Sequence, residues 1–214
     1  IKCQLIYMKL LFSLFFLFIS FESLGAKKIE ENYTVKTKGI TIGNLDWKVK
    51  LEKNSYATTI NLKNKGPLSL VYKFKGYYEA SGIIKKDILI SEKYIQEWKT
   101  KNKQRNINII FENNKIINLK IQPEEKEVAR INFLELVGYS DPLTSFLNIF
   151  LNNVSSKTID GRRIYILSPN KNDDYTKVLI KNYVNIWADH NKNDIEYLEI
   201  FQNPNENLPH KINI

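Results

Sequence analysis

From Tyr33 onward the chain alternates apolar and polar residues with a period of two. Tyr33, Val35 and Thr37 alternate with Thr34, Lys36 and Lys38; Trp47, Val49 and Leu51 alternate with Lys48, Lys50 and Glu52; Tyr56, Thr58, Ile60 and Leu62 continue the pattern. Such alternation is the mark of a strand with one dry and one wet face, and it predicts three antiparallel strands. Turn-forming residues divide them: Gly39 and Gly43-Asn44 before the second, Lys53-Asn54-Ser55 before the third, and Asn64-Lys65-Gly66-Pro67 after it. Leu68, Val71 and Tyr72 fit one face of a short helix, followed by a strand to about Ile84. A strand over 93–98 then meets the polar turn Lys101-Asn102-Lys103-Gln104. The alternating Ile107, Ile109 and Phe111 run to a hairpin at Asn113-Asn114, with a return strand over 115–121 and an acidic loop over 123–127.

The period changes at Asp141-Pro142. Aspartate is a favoured N-cap because its carboxylate accepts unpaired backbone N–H groups, and proline at the first helical position forfeits no needed donor. Leu143, Phe146, Leu147 and Phe150 follow at spacings of three and four, which predicts a helix with that face buried. Beyond it, residues 156–159, 162–167, 176–188 and 194–202 read as strands. Asp160-Gly161 is a hairpin turn, and polar turns fall at 169–174 and 190–193. There is no internal repeat and no long linker, so residues 27–214 are expected to form a single β-rich domain.

The first twenty-six residues have a different character. Met8-Lys9 leads into the apolar run 10–21 and then into Ser23-Leu24-Gly25-Ala26. A basic residue, an apolar core of roughly 12 residues and a small-residue exit describe a secretory signal peptide, whereas a spanning helix needs about 20. Cleavage is expected after Gly25 or Ala26, giving a periplasmic product with no integral membrane segment. Residues 1–7 precede the only methionine and are expected to lie upstream of the true start. The single cysteine, Cys3, is also upstream, so the mature chain forms no disulfide and is not acylated at the cleavage junction. The net charge of +9 hardly depends on this segment: its removal takes away Lys2, Lys9 and Glu22 and leaves +8. Lys36, Lys38, Lys48, Lys50, Lys63, Lys73 and Lys75 sit singly between apolar residues, as on the solvated face of strands. This spread argues against nucleic acid, which favours clustered cations with stacking platforms, and leaves weak attraction to an anionic membrane surface.

Catalytic chemistry has little to work with. The two histidines, His190 in a polar turn and His210 beside Pro209, are expected at the surface, and no nucleophile motif or phosphate-cradling glycine loop appears. Asp189, Asn191 and Asn193 alternate like calcium ligands but lack the turn glycine and the closing glutamate, so a plain turn is expected. Glu124, Glu125 and Glu127 read as a solvated loop. No catalytic residue, metal or cofactor is expected.

The block Asp141-Pro142-Leu143-Thr144-Ser145-Phe146-Leu147, followed by Ile159-Asp160-Gly161-Arg162-Arg163-Ile164-Tyr165, resembles the exported proteobacterial domain-of-unknown-function family DUF3108. Its members carry an Asp-Pro-Leu-Ser helix start ahead of an Asp-Gly-Arg-Arg hairpin. Gly39-Ile40-Thr41-Ile42-Gly43, Ser81-Gly82 and Leu208-Pro209 resemble further family segments. Family members often have cysteines where this chain has Ser155-Ser156 and Val178-Leu179, so that disulfide cannot form here, and the last strand is expected to continue past Ile214. The resemblance implies a mainly β (α+β) fold: a curved antiparallel sheet or half-barrel wrapped around one or two helices, similar to the outer-membrane lipoprotein carriers. It implies no activity. In such a half-barrel, Trp47, Tyr56, Tyr72, Trp98, Phe111 and Tyr165 would line an apolar pocket for a lipid-like ligand, with Arg162 and Arg163 at its head group, or else would fill a core. The leading expectation is therefore a non-enzymatic envelope protein that binds a lipid-like or apolar ligand. The alternative is an interaction protein with a filled core that docks an envelope partner through a sheet edge.

Overall fold

The computed structural model describes residues 26–66, 69, 73–172, 174–187, 196–203, 206 and 208–213. Seven strands, β1 (Lys27–Thr37), β2 (Ile40–Leu51), β3 (Ser55–Asn64), β4 (Phe74–Lys85), β5 (Ile88–Thr100), β6 (Gln104–Glu112) and β7 (Lys115–Gln122), pair in chain order as an antiparallel meander. The hairpins at Lys38-Gly39, Lys86-Asp87 and Asn113-Asn114 each place two consecutive residues at positive φ, the backbone whose twist matches that of paired strands. A 3-10 turn (Phe133–Glu135) and β8 (Tyr139–Ser140) then lead into helix α1 (Pro142–Asn152). Strands β9 (Ser156–Ile159), β10 (Arg163–Lys171), β11 (Thr176–Asn185), β12 (Tyr197–Phe201) and β13 (Lys211–Asn213) complete a second sheet in the order β13-β12-β11-β10-β9-β8. It is antiparallel except for β8 and β9, which run parallel.

Helix α1 is packed between the two sheets. Leu147 is buried with Trp47, Val49, Tyr56 and Leu89 of the large sheet, while Ile149 is buried with Leu167, Val178, Leu198 and Ile200 of the small one. Beside the helix the sheets meet directly, with Ile107, Ile109 and Phe111 against Ile159, Ile164 and Ile186. The mainly β architecture with an antiparallel sheet and a helix is as expected, and the sheets do not close into a barrel.

The Asp141-Pro142 helix starts where its cap predicts, but its burial differs in detail. Leu143 and Leu147 are buried, whereas Phe146 and Phe150 are half-buried and stack on one another at 5.9 Å. Because a sheet lies on both sides, Thr144, Ser145, Asn148 and Ile149 are buried as well.

Two expected turns and one strand start are displaced. Gly43-Asn44 lies inside β2. The glycine is needed there for close approach, since a Cβ would stand 2.7 Å from the Lys63 carbonyl oxygen. Strand β5 begins at Ile88, earlier than the alternation suggests, because Ile88-Leu89-Ile90 is a continuous apolar run and a register shift at Ser81/Gly82 resets the alternation. Strand β10 continues through Pro169, which sits opposite Val178, so the turn contracts to the segment from Asn172 to Tyr175. The export segment in residues 1–25, Cys3, Tyr72 with most of the short helix expected around it, and the turn holding His190 lie outside the described residues.

Candidate functional site

A chain of buried polar groups runs along α1. The Asp141 carboxylate caps the helix by accepting from the Thr144 backbone N–H at 2.9 Å, and it also accepts from the hydroxyls of Ser91 at 2.6 Å and Thr144 at 2.5 Å. Thr144 in turn shares a hydrogen bond with the Tyr56 hydroxyl at 2.5 Å. Burial is the largest influence on Asp141 and raises its pKa above the ordinary carboxylate value, against the pull of these donors. Burial likewise raises the Tyr56 phenol. One turn on, the Asn148 side-chain amide accepts from the Leu89 N–H at 2.9 Å and donates to the Leu89 carbonyl at 2.8 Å. Strand β6 pairs only with Lys93 to Lys99 of β5, so at Leu89 the asparagine takes the place of a strand neighbour. Ser145 joins the other sheet through Ser156 at 2.9 Å and Thr158 at 2.8 Å.

A carboxylate beside three hydroxyls looks like catalytic equipment, yet Asp141 and Thr144 are 0% exposed and Ser91 and Tyr56 are 3% exposed. No reactant reaches a site so closed, and every polar group in it has a protein partner. The chain fastens α1 to β3 and β5 on one side and β9 on the other. Sequence reasoning found Asp141 as a cap but missed Ser91, Thr144 and Asn148 as its network. The available signal was that polar Thr144, Ser145 and Asn148 interrupt an otherwise apolar helix, with Thr144 and Asn148 four apart on one face.

The aromatic candidates do not converge on one pocket. Trp47 is buried against the edge of Phe150 at 5.5 Å and donates from Nε1 to the Thr58 hydroxyl at 2.9 Å. Tyr56 lies in the same cluster, Phe111 in the cluster where the sheets meet, and Tyr165 beside Ile149 at the small sheet. Trp98 stands apart, stacked on Phe74 at 5.4 Å with planes 12° apart and lying over Gly76. A shallow depression of about 200 Å³ lies around Gly76, between the cross-strand rows Asn61, Tyr77, Glu97 and Lys63, Lys75, Lys99.

Both candidate arginines are engaged by carboxylates. Asp160 holds its own turn by accepting the backbone N–H groups of Arg162 at 2.9 Å and Arg163 at 2.8 Å. Its other oxygen accepts from Arg163 Nε at 2.9 Å, and Arg163 also donates to the Tyr183 hydroxyl at 3.0 Å. Arg162 Nε donates to Glu125 at 3.1 Å; burial and the nearby Arg105 lower its pKa, with Glu125 opposing them. Gly161 has φ +90° and presses on β6, where a Cβ would stand 2.5 Å from Ile107 Cγ2. Among the described residues no cluster of three or more His, Cys, Asp or Glu is placed to hold a metal ion. No helix among them is long and apolar enough to cross a membrane.

These features define a two-sheet β protein assembled around a buried, polar-anchored helix. Residues 32–176, more than half of the chain, match the family described as protein of unknown function DUF3108, and the chain belongs to that family. No curated protein and no solved structure matches it.

Proposed function

We propose that this protein is an exported, non-catalytic interaction protein of the cell envelope that docks a partner by adding a strand to the outer edge of β1, which pairs with no strand but β2 among the described residues. The observation that carries this reading is the use of the candidate pocket residues in the core. Trp47, Tyr56 and Phe111 are packed under α1 or between the sheets, so these rings serve the core instead of lining a space for an apolar cargo. Strand β1 is meanwhile an 11-residue edge strand whose strand partner is β2. Its outer side offers a row of backbone donors and acceptors, the template used in strand addition. The export half of the reading is supported by the apolar run 10–21 and the small residues before Lys27.

A photo-crosslinking residue at Asn32 or Thr34, both exposed on β1, should trap a defined protein in intact cells, and the same residue at Glu112 should not. Recovered protein should begin at Ala26 or Lys27. Trapping of equal strength at Glu112 would overturn the edge. An intact residue 10–21 segment in the recovered protein would overturn export. The lipid-carrier reading would replace this one if the purified protein bound a fluorescent fatty acid saturably at micromolar strength and Trp47→Phe weakened that binding without lowering stability.

A further inference from the structure

The lysines that look evenly spread along the sequence are gathered by the meander. The connection from β1 to β2, that from β3 to β4 and that from β5 to β6 all lie at the same end of the large sheet. Residues 34–44, 61–77 and 98–106 form those connections and their flanking strand ends, and they contain no Asp or Glu. They contain Lys36, Lys38, Lys63, Lys65, Lys73, Lys75, Lys99, Lys101 and Lys103, all exposed.

Lys63, Lys75 and Lys99 stand directly opposite one another on three adjacent strands. Like charges so placed repel, and proteins normally avoid the arrangement. Further along the sheet three lysines are neutralised: Lys48 pairs with Glu30 at 3.0 Å, Lys50 with Glu52, and Lys93 with Glu79 at 3.7 Å. Among the described residues none of the nine forms an ion pair. Asp46 and Glu97 lie one row further in. The acidic stretch after β7 leaves the sheet at this same end, one strand beyond β6, where Glu125 pairs with Arg162 and Glu127 with Arg130.

We propose that this lysine-bearing end of the large sheet docks the protein onto an anionic lipid surface. Six adjoining strands at about 4.8 Å spacing give the end a width of roughly 25 Å, with lysines on its turns and strand ends and only a shallow depression beside Lys63, Lys75 and Lys99. Its exposed cations are lysines, compact charges suited to a diffuse layer of head groups, rather than the arginine forks that read individual phosphates; the one arginine at this end, Arg105, is half-buried and near Arg162. Ile40, 52% exposed beside Lys38, adds an apolar contact at the same end. A single-stranded nucleic acid would call for aromatic stacking platforms, and Trp98 already spends a face on Phe74. The inference stands independently of the β1 partner.

The test uses the full chain with vesicles of phosphatidylcholine alone and of equimolar phosphatidylcholine and phosphatidylglycerol. The quantity read is the ratio of the two partition constants, which any apolar segment shared by all variants leaves unchanged. Wild type should favour the anionic vesicles, and high salt should abolish the preference. Each lysine near the surface is worth roughly fivefold, so Lys63→Gln with Lys75→Gln and Lys99→Gln should reduce the ratio roughly a hundredfold. Their melting temperature should not fall, since the change removes repulsion. The control Lys48→Gln with Lys50→Gln and Lys93→Gln removes the same charge from paired positions and should lose far less. Equal losses in the two triple variants, or a wild-type ratio near one, would overturn the proposal. Tighter binding to single-stranded DNA than to anionic vesicles, dependent on the same three lysines, would replace the membrane with a soluble polyanion.

Discussion

The sharpest structural test is Asn148, whose side-chain amide completes the hydrogen bonding of Leu89 where β6 does not reach. Asn148 is 4% exposed and Leu89 is 2% exposed, so neither Leu89 group turns to solvent when the amide is removed. Leaving a buried backbone donor or acceptor unpaired costs about 1–3 kcal/mol, which makes the two stranded groups worth about 2–6 kcal/mol. Asn148→Ala recovers about 0.5 kcal/mol of helix propensity, and a water entering the vacated space would offset more. Asn148→Leu is the stricter perturbation because it fills that space while offering neither bond. We expect Asn148→Ala to cost about 2–4 kcal/mol and Asn148→Leu to cost at least as much. In a chain of this size that lowers the melting temperature by about 4–16 °C. Asn152→Ala on the same helix loses an exposed bond to the Asp87 carbonyl at 2.8 Å and should cost under about 1 kcal/mol. Urea unfolding followed by tryptophan fluorescence, with equal slopes across the set, measures all three. An Asn148→Leu protein as stable as wild type would show that Leu89 has no need of the amide and would refute the account of α1 as a polar-anchored helix.

Other consequences are open to equally direct measurement. Burial raises the pKa of Asp141, so the folded state holds its proton longer than the unfolded state; its contribution is fully present below the ordinary carboxylate pKa and is lost as pH rises through the raised value. Asp141→Asn, which keeps a capping oxygen, should therefore gain on wild type as pH rises from about 4 to 7 in pH-dependent urea titrations. A difference moving the other way would mean that the Ser91 and Thr144 donors outweigh burial. Gly161→Ala combines positive φ with the clash on Ile107 and should cost about 2–4 kcal/mol. Gly39→Ala has positive φ but nothing within 4 Å and should cost about 1 kcal/mol, so equal losses by chemical denaturation would remove the packing contribution. Trp47→Ala should cost about 3–5 kcal/mol and the half-buried Trp98→Ala clearly less, and the reverse order in melting temperature would place the core on the wrong side of the sheet.

What the sequence reveals is mostly local. The alternation in β2 and β3, the Asp141 cap and the Asp160-Gly161 turn depend on residues within a few positions of one another, and each is found where the pattern puts it. The contacts that escape are long-range and polar. Ser91 and Asp141 are 50 positions apart and Leu89 and Asn148 are 59 apart, and nothing in their spacing distinguishes a buried serine or asparagine from a solvated one. Gly43 reads as a turn for a related reason: a glycine that allows two backbones to approach looks like a glycine that turns the chain. The lysines show the converse error, since residues far apart in sequence come together once alternate connections share one end of a sheet.

The family-like motifs can each be traced to a contact within the fold. Asp141 caps α1 and binds Ser91, Gly82 leaves no room for a Cβ, which would sit 1.9 Å from the Ile90 carbonyl oxygen, and Asp160-Gly161 sets the hairpin against Ile107. Leu208 is buried beside Trp47, and the Pro209 carbonyl accepts from the Tyr33 hydroxyl at 2.6 Å, tying the C-terminal segment to β1. With these residues spent on folding, function is better sought in the exposed groups around them. The β1 edge and the lysine end are continuous, because β1 finishes at Lys36-Thr37 and leads into Lys38. A partner strand added along β1 would therefore have one end at the proposed lipid surface. Membrane docking and strand addition then reinforce each other: holding the sheet end on the bilayer would confine the outer edge of β1 to the plane in which a membrane-anchored partner diffuses, raising their effective concentration without any new contact between them.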